Sequence, residues 1–141
     1  MKKVNAETLR SIFISGANNI ANDYKHIDAL NVFPIPDGDT GTNMMMTIQN
    51  GVKTINGVET TSCSELAATF SRGLLLGARG NSGVILSQIF RGFAEGVKDK
   101  VELTVSDIAK AFESGTARAY KAVLKPVEGT MLTVIREASE E

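Results

Sequence analysis

Asn31-Val-Phe-Pro-Ile-Pro-Asp37-Gly-Asp39-Thr40-Gly41-Thr42-Asn43 interrupts a helical pattern on either side of it and carries two carboxylates one glycine apart. Pro34 and Pro36 fix backbone torsions on the approach, which lowers the entropy cost of presenting a rigid set of ligands. Mg²⁺ takes oxygen ligands, commonly one or two carboxylates together with the phosphates of a substrate. Asp37 and Asp39, at i and i+2 in an extended turn, point the same way and are candidate ligands of one metal cluster. Asn31 is placed to return a third oxygen. The Thr40–Asn43 run opens a helix whose first N–H groups lack intrahelical acceptors and suit phosphate. A plain surface turn is the competing reading of the same residues. A calcium EF-hand is excluded: counted from Asp37, the sixth residue is Thr42 and the twelfth Ile48, where Gly and Glu are required.

Upstream of this loop, Asn5 caps a helix predicted over 5–25, with Leu9, Ile12, Phe13, Gly16, Ile20 and Tyr24 on one stripe. Downstream, a second helix is predicted from Thr42 to about Ile55, with Met45, Ile48, Val52 and Ile55 facing inward and Asn56-Gly57 closing it. Ser62 and Glu65 have capping-box spacing and start a third helix through Leu66, Phe70 and Leu74. A fourth runs from Ser82 to about Glu95 on Ile85, Ile89 and Phe93. Thr104 and Asp107 open a fifth on Ile108, Phe112, Gly115 and Ala119, ended by Pro126, and Thr130 begins a sixth periodic segment, Met131 to Ala138. No period-2 strand appears, and the box at Ser62 argues against a short strand at Leu74-Leu75-Leu76. The expectation is an all-α domain of five or six helices. Glu140-Glu141 falls inside a helical pattern with no stop signal, so the chain reads as cut short.

Composition narrows the function classes. With 141 residues and 43% apolar content the chain makes one domain. A net charge of −1 and scattered basic residues leave no footprint for nucleic acid or an anionic membrane. No apolar run approaches a membrane span and no signal-type block precedes the first helix, so a cytoplasmic protein without membrane insertion is expected. A single cysteine, Cys63, excludes an internal disulfide and a thiolate zinc cluster.

A second constellation is Gly77-Ala-Arg79-Gly80-Asn81-Ser82-Gly83. Its glycines let backbone N–H groups converge on an anion, joined by the Ser82 hydroxyl and balanced by Arg79. They equally suit a connection in which two helices approach closely. The segment is neither a P-loop nor a dinucleotide fingerprint, lacking the Gly-x-x-x-x-Gly-Lys pattern and a βαβ setting. Lys125-Pro-Val-Glu-Gly-Thr130-Met131-Leu132 reads by itself as a loop and a helix start. His26, Met44-Met45-Met46 and Cys63 read as structural.

Taken in order, the Asn31–Met44, Gly77–Gly83 and Pro126–Leu132 motifs resemble the nucleotide-binding domain of the dihydroxyacetone-kinase L family, and within it the fatty acid kinase branch. The resemblance covers essentially the whole chain and implies an up-and-down antiparallel barrel of eight helices, about six of them present over residues 1–141. It further implies Mg-ATP or Mg-ADP held at one end, with two magnesium ions bridging carboxylates and phosphates. Asp37 and Asp39 would be catalytic metal ligands, with Asn31 beside them. Thr40, Thr42, Asn43, Gly80, Asn81, Ser82 and Gly83 would line the phosphates, and Thr130 and Met131 the nucleoside. Dihydroxyacetone-kinase members carry Asp, Gly and His where this chain has Asn31, Pro36 and Thr40, which favours a fatty-acid-carrying partner protein over a small polyol. A non-catalytic nucleotide- or metal-binding fragment is the other alternative. An incomplete barrel exposes apolar faces, which a partner or a homo-oligomer would cover.

Overall fold

The computed structural model describes residues 3–29 and 39–122. Five helices account for most of them: α1 (Ala6–Ala29), α2 (Thr40–Asn56), α3 (Cys63–Leu76), α4 (Gly80–Gly96) and α5 (Val105–Ala122). The fold is all-α, as the periodicity predicts. Among the described residues the β structure is confined to an isolated antiparallel bridge between Val4 and Leu103. Asn31, Asp37, Thr130, Met131 and the sixth periodic segment lie outside the described residues.

Hydrogen bonds between helix ends fix the directions. Val4, ahead of α1, exchanges backbone bonds with Leu103, ahead of α5. The N–H of Cys63, at the start of α3, donates to Val101 O at 2.9 Å. Arg10 near the start of α1 donates to the carbonyls of Ile55 and Val58 at the end of α2. One end of the bundle therefore holds the starts of α1, α3 and α5 and the finish of α2, so successive helices alternate in direction. α2 packs on α1, α3 and α4, and α4 packs most extensively on α5.

The cap signals place the helix starts. Asn5 Oδ1 accepts the N–H of Thr8 at 2.8 Å. Thr104 and Asp107 form a reciprocal box: Asp107 N–H donates to Thr104 Oγ1 at 3.1 Å, and Thr104 N–H donates to Asp107 Oδ2 at 2.9 Å. Ser62 Oγ accepts from Glu65 N–H, but the return half runs through Thr60. Its hydroxyl donates to Glu65 Oε2 and accepts from Ser62 N–H.

Several details differ from the sequence expectation, among them an α2 start at Thr40 rather than Thr42. α1 runs four residues past Lys25, because its last turn is held against the first turn of α2. Its buried face is Ala6, Leu9, Phe13 and Ala17, while Ile12 is 48% exposed. Ile12 sits on the flank of this stripe, away from the buried face. α4 begins at Gly80, two residues before Ser82, after an extended Arg79.

Five phenylalanines build the centre of the core. Phe13 of α1 stacks on Phe70 of α3 at 4.2 Å, and Phe90 meets both edge-on. Phe93 extends the cluster to Phe112 of α5 at 5.1 Å. Phe70 and Phe93 are fully enclosed, and such rings contribute stabilisation both through area removed from water and through edge-to-face geometry.

Candidate functional site

The other end of the bundle gathers the finish of α1, the start of α2, the finish of α3 and the start of α4. Its contacts are polar, whereas those at the centre of the bundle are aromatic. Along α2, Asn43, Thr47, Asn50 and Thr54 recur at steps of four, three and four, which places them on one face. That face lies against glycines of the α3–α4 corner. A methyl group on Gly83 would fall 2.4 Å from Thr47 Oγ1, one on Gly77 2.6 Å from Asn50 Cβ, and one on Gly73 2.5 Å from Thr54 Oγ1. The buried Thr47 hydroxyl donates to Asn43 O at 2.7 Å and accepts the Arg79 N–H at 3.1 Å. Asn50 Nδ2 donates to Gly73 O at 2.6 Å. These glycines thus provide the close helix approach that the sequence left as one of two readings.

The approach also aligns the two helix N-termini. Ser82 Oγ donates to Thr40 O at 3.0 Å, joining motifs 42 residues apart. Gly80 has φ +66, a backbone that favours glycine, and a methyl there would fall 2.3 Å from Asn43 Nδ2. Thr40, Asn43, Gly80, Ser82 and Gly83 therefore meet at one corner. Asn81 and Asp39 are exposed beside them. No side chain caps α4 at Arg79, so the N–H groups of its first turn point out of the helix without an intrahelical acceptor.

Thr42 departs from the expected phosphate-facing role. Its N–H donates to Asp28 Oδ1 at 2.9 Å and its hydroxyl donates to Asp28 Oδ2. Partial burial works to raise the Asp28 pKa. The hydrogen bonds from the Thr42 hydroxyl and from the Thr42 and Gly41 amides outweigh it and hold the carboxyl below its ordinary value. Asp28, Thr47 and Asn50 were missed in the sequence. The signal that finds the last two is the Asn/Thr spacing along α2 matched to glycines at 73, 77, 80 and 83; nothing local announces Asp28.

Asp39 is the N-cap of α2, yet its side chain makes no cap hydrogen bond. Among the described residues no group of three or more His, Cys, Asp and Glu side chains forms a metal centre. Asp39 is an exposed carboxylate beside these backbone donors; the donors suit phosphate, and one carboxylate can share a magnesium ion with phosphate and water.

A cleft of about 770 Å³ opens at the opposite end, lined by Glu7, Arg10, Glu59 and Glu65 among others. Its guanidinium is already engaged by two α2 carbonyls and by Glu7, so its chemistry is that of a helix C-cap. The helix-terminus corner, not this cleft, carries the candidate chemistry.

The DAK2 domain model matches residues 34–141, most of the chain. The chain belongs to the DAK2 family. An uncharacterized protein of Staphylococcus epidermidis strain ATCC 12228 is 49% identical over 140 residues, covering 99% of this chain and 25% of that protein. Similar proteins of Staphylococcus haemolyticus (49%, with 25% of its length covered) and Staphylococcus aureus USA300 (47%, with 26%) are likewise uncharacterized. The DAK2 chain thus spans about a quarter of the length of the curated relatives it matches. DAK2 domains are nucleotide-binding and associated with kinase activity. Among the described residues of this DAK2 chain, no helix is long and apolar enough to cross a membrane.

Proposed function

We propose that this DAK2 domain binds Mg-ATP for a kinase that phosphorylates the carboxylate of a fatty acid presented by a partner protein, giving an acyl phosphate. The observation that carries the reading is the meeting of the α2 and α4 N-termini, locked by the Ser82–Thr40 bond and the Gly80–Asn43 contact. The outward N–H groups of Gly80, Asn81 and Ser82, at the positive end of α4, receive the phosphates. Asp39, with Asp37 and Asn31 from the sequence before it, would hold magnesium. When bound, the metal neutralises phosphate charge and orients the transferring group. Thr130 and Met131 are assigned to the nucleoside side.

A carboxylate acceptor is an anion at neutral pH, so transfer to it needs positioning and charge neutralisation rather than a general base. The chain has one histidine, and His26 is exposed at the end of α1. Thr40 stands where a polyol kinase of this family carries a histidine, which favours the carboxylate over dihydroxyacetone. The acceptor-binding parts are assigned outside residues 1–141, in keeping with relatives of which this chain spans about a quarter.

Calorimetry of ATP binding with and without Mg²⁺ tests the nucleotide site. Mg-dependent binding is expected, and Asp39→Ala is expected to abolish it. Unchanged binding by that variant overturns the assignment. In the full-length parent, phosphorylation of dihydroxyacetone instead of a protein-bound fatty acid would replace the acceptor.

A further inference from the structure

We infer that Thr47 is a positioning residue for the phosphate corner: from within α2 it holds the chain on both sides of the turn that presents the first amides of α4. This role rests on the Mg-nucleotide reading above. The link from α3 climbs the glycine-lined face of α2 before it turns. Gly77 lies against Asn50, the Arg79 N–H donates to Thr47 Oγ1 at 3.1 Å, and Gly80 lies against Asn43. Gly80 turns the chain at φ +66 into α4. Gly83 then comes back to Thr47, where an added methyl would fall 2.4 Å from the same hydroxyl oxygen. That oxygen therefore meets the chain once before the turn and once after it. Between the two contacts lie Gly80, Asn81 and Ser82, whose N–H groups are assigned to phosphate. Thr47 is fully buried, and its own proton goes to Asn43 O at 2.7 Å, so the lone pairs of Oγ1 are left for Arg79. A helix start holds an anion through amides that converge on it, so a shift of this turn is felt as lost phosphate affinity. Thr47 acts on the ligand only through the Arg79–Gly83 backbone.

Calorimetric titration of this chain with ATP in the presence of Mg²⁺ tests it. Thr47→Val keeps the shape of the side chain, removes the hydroxyl and leaves the Arg79 N–H facing a methyl group. The Kd for Mg-ATP is expected to rise about tenfold, the scale for losing an outer partner that orients the groups holding a ligand. Thr47→Ser, which retains the hydroxyl, is expected to restore the native affinity. The control is Thr54→Val: Thr54 makes the same bond along α2, to Asn50 O at 2.8 Å, but lies against Gly73 rather than the turn. It is expected to lower the melting temperature and leave the Kd unchanged. A lower melting temperature with unchanged Kd in Thr47→Val would make Thr47 a structural residue only and overturn the inference. Equal losses of affinity in the two valine variants would overturn it as well. Amide ¹H–¹⁵N spectra without ATP give a second readout: the Gly80, Asn81 and Ser82 resonances are expected to move in Thr47→Val and to stay in place in Thr54→Val. If the native chain shows no Mg-dependent ATP binding, the functional reading fails, and these resonances alone decide whether Thr47 orders the turn. If Thr47→Val does not fold, Gly83→Ala takes its place, because it keeps every hydrogen-bonding group and presses on Thr47 Oγ1 from the other side of the turn. A native Kd in that variant overturns the inference.

Discussion

The two ends of the bundle are held by different forces. Toward the end where α1, α3 and α5 begin, the helix starts are closed by their own neighbours in sequence, as at Ser62 and Thr104, and they stand on the apolar rings that interlock at the centre. At the end where α2 and α4 begin, the contacts are hydrogen bonds and glycine seams, and the α2 start is closed from another helix. Apolar packing tolerates exchange of shape if volume is kept, whereas a polar seam works only with each donor and acceptor in place. The first end suits a stable base. The second suits a site, because its backbone donors are positioned by side chains that have no slack.

The largest effect should come from the aromatic centre. Phe70 is fully enclosed between Phe13 and Phe90. Phe70→Ala should cost about 3–5 kcal/mol in urea denaturation, as for other large-to-small core changes. A loss below about 1 kcal/mol would mean that the rings are not the base of the fold.

The polar end can be tested by sign. Gly16, on the half-buried flank of α1, has nothing within 4 Å of an added methyl. Gly16→Ala should therefore stabilise by about 0.4–1 kcal/mol, the usual gain from restricting the unfolded chain. Gly83→Ala makes the same chemical change in a helix but meets Thr47 Oγ1, which two backbone partners hold. It should destabilise by about 1–3 kcal/mol. Opposite signs for one substitution, read from paired melting curves, identify the seam. Equal signs would remove it.

Periodicity and capping boxes made the aromatic centre and the first end legible, because their information is local: Ser62 with Glu65, Thr104 with Asp107, and apolar residues at helical spacing. Helix order and the all-α class followed from these. Less of the polar end was legible. Met45 was expected to face inward, whereas α2 buries Thr47 and Gly51 beside Ile48 and Ile55, because it is flanked on three sides and one of those faces is glycine. Thr42 was assigned to phosphate through the family resemblance. The anion present is Asp28, fourteen residues earlier, and no local pattern marks it. Asn31, Asp37, Thr130 and Met131, also assigned to the site, lie outside the described residues.

The smallest effect compares the carboxylates that close a helix at each end. Asp107 accepts from Lys100 Nζ at 2.8 Å and from the Thr104 N–H. The Lys100 bond first, and then the Thr104 bonds, lower its pKa from 3.8 to about 2. A depressed carboxyl contributes stability that is fully present above its unfolded value and is lost as pH falls through the folded one. The Asp107 share should therefore be intact at neutral pH and decline between 3.8 and about 2. Asp28 has the same sign, through Thr42 and Gly41. In melting temperature against pH, Asp107→Asn should flatten part of the acid limb and leave the Thr42 amide resonance unchanged, whereas Asp28→Asn should flatten another part and move that resonance. If either variant moves the reporter at the far end, the two caps are coupled through the core, and the division of the molecule into a packed base and a polar site is wrong.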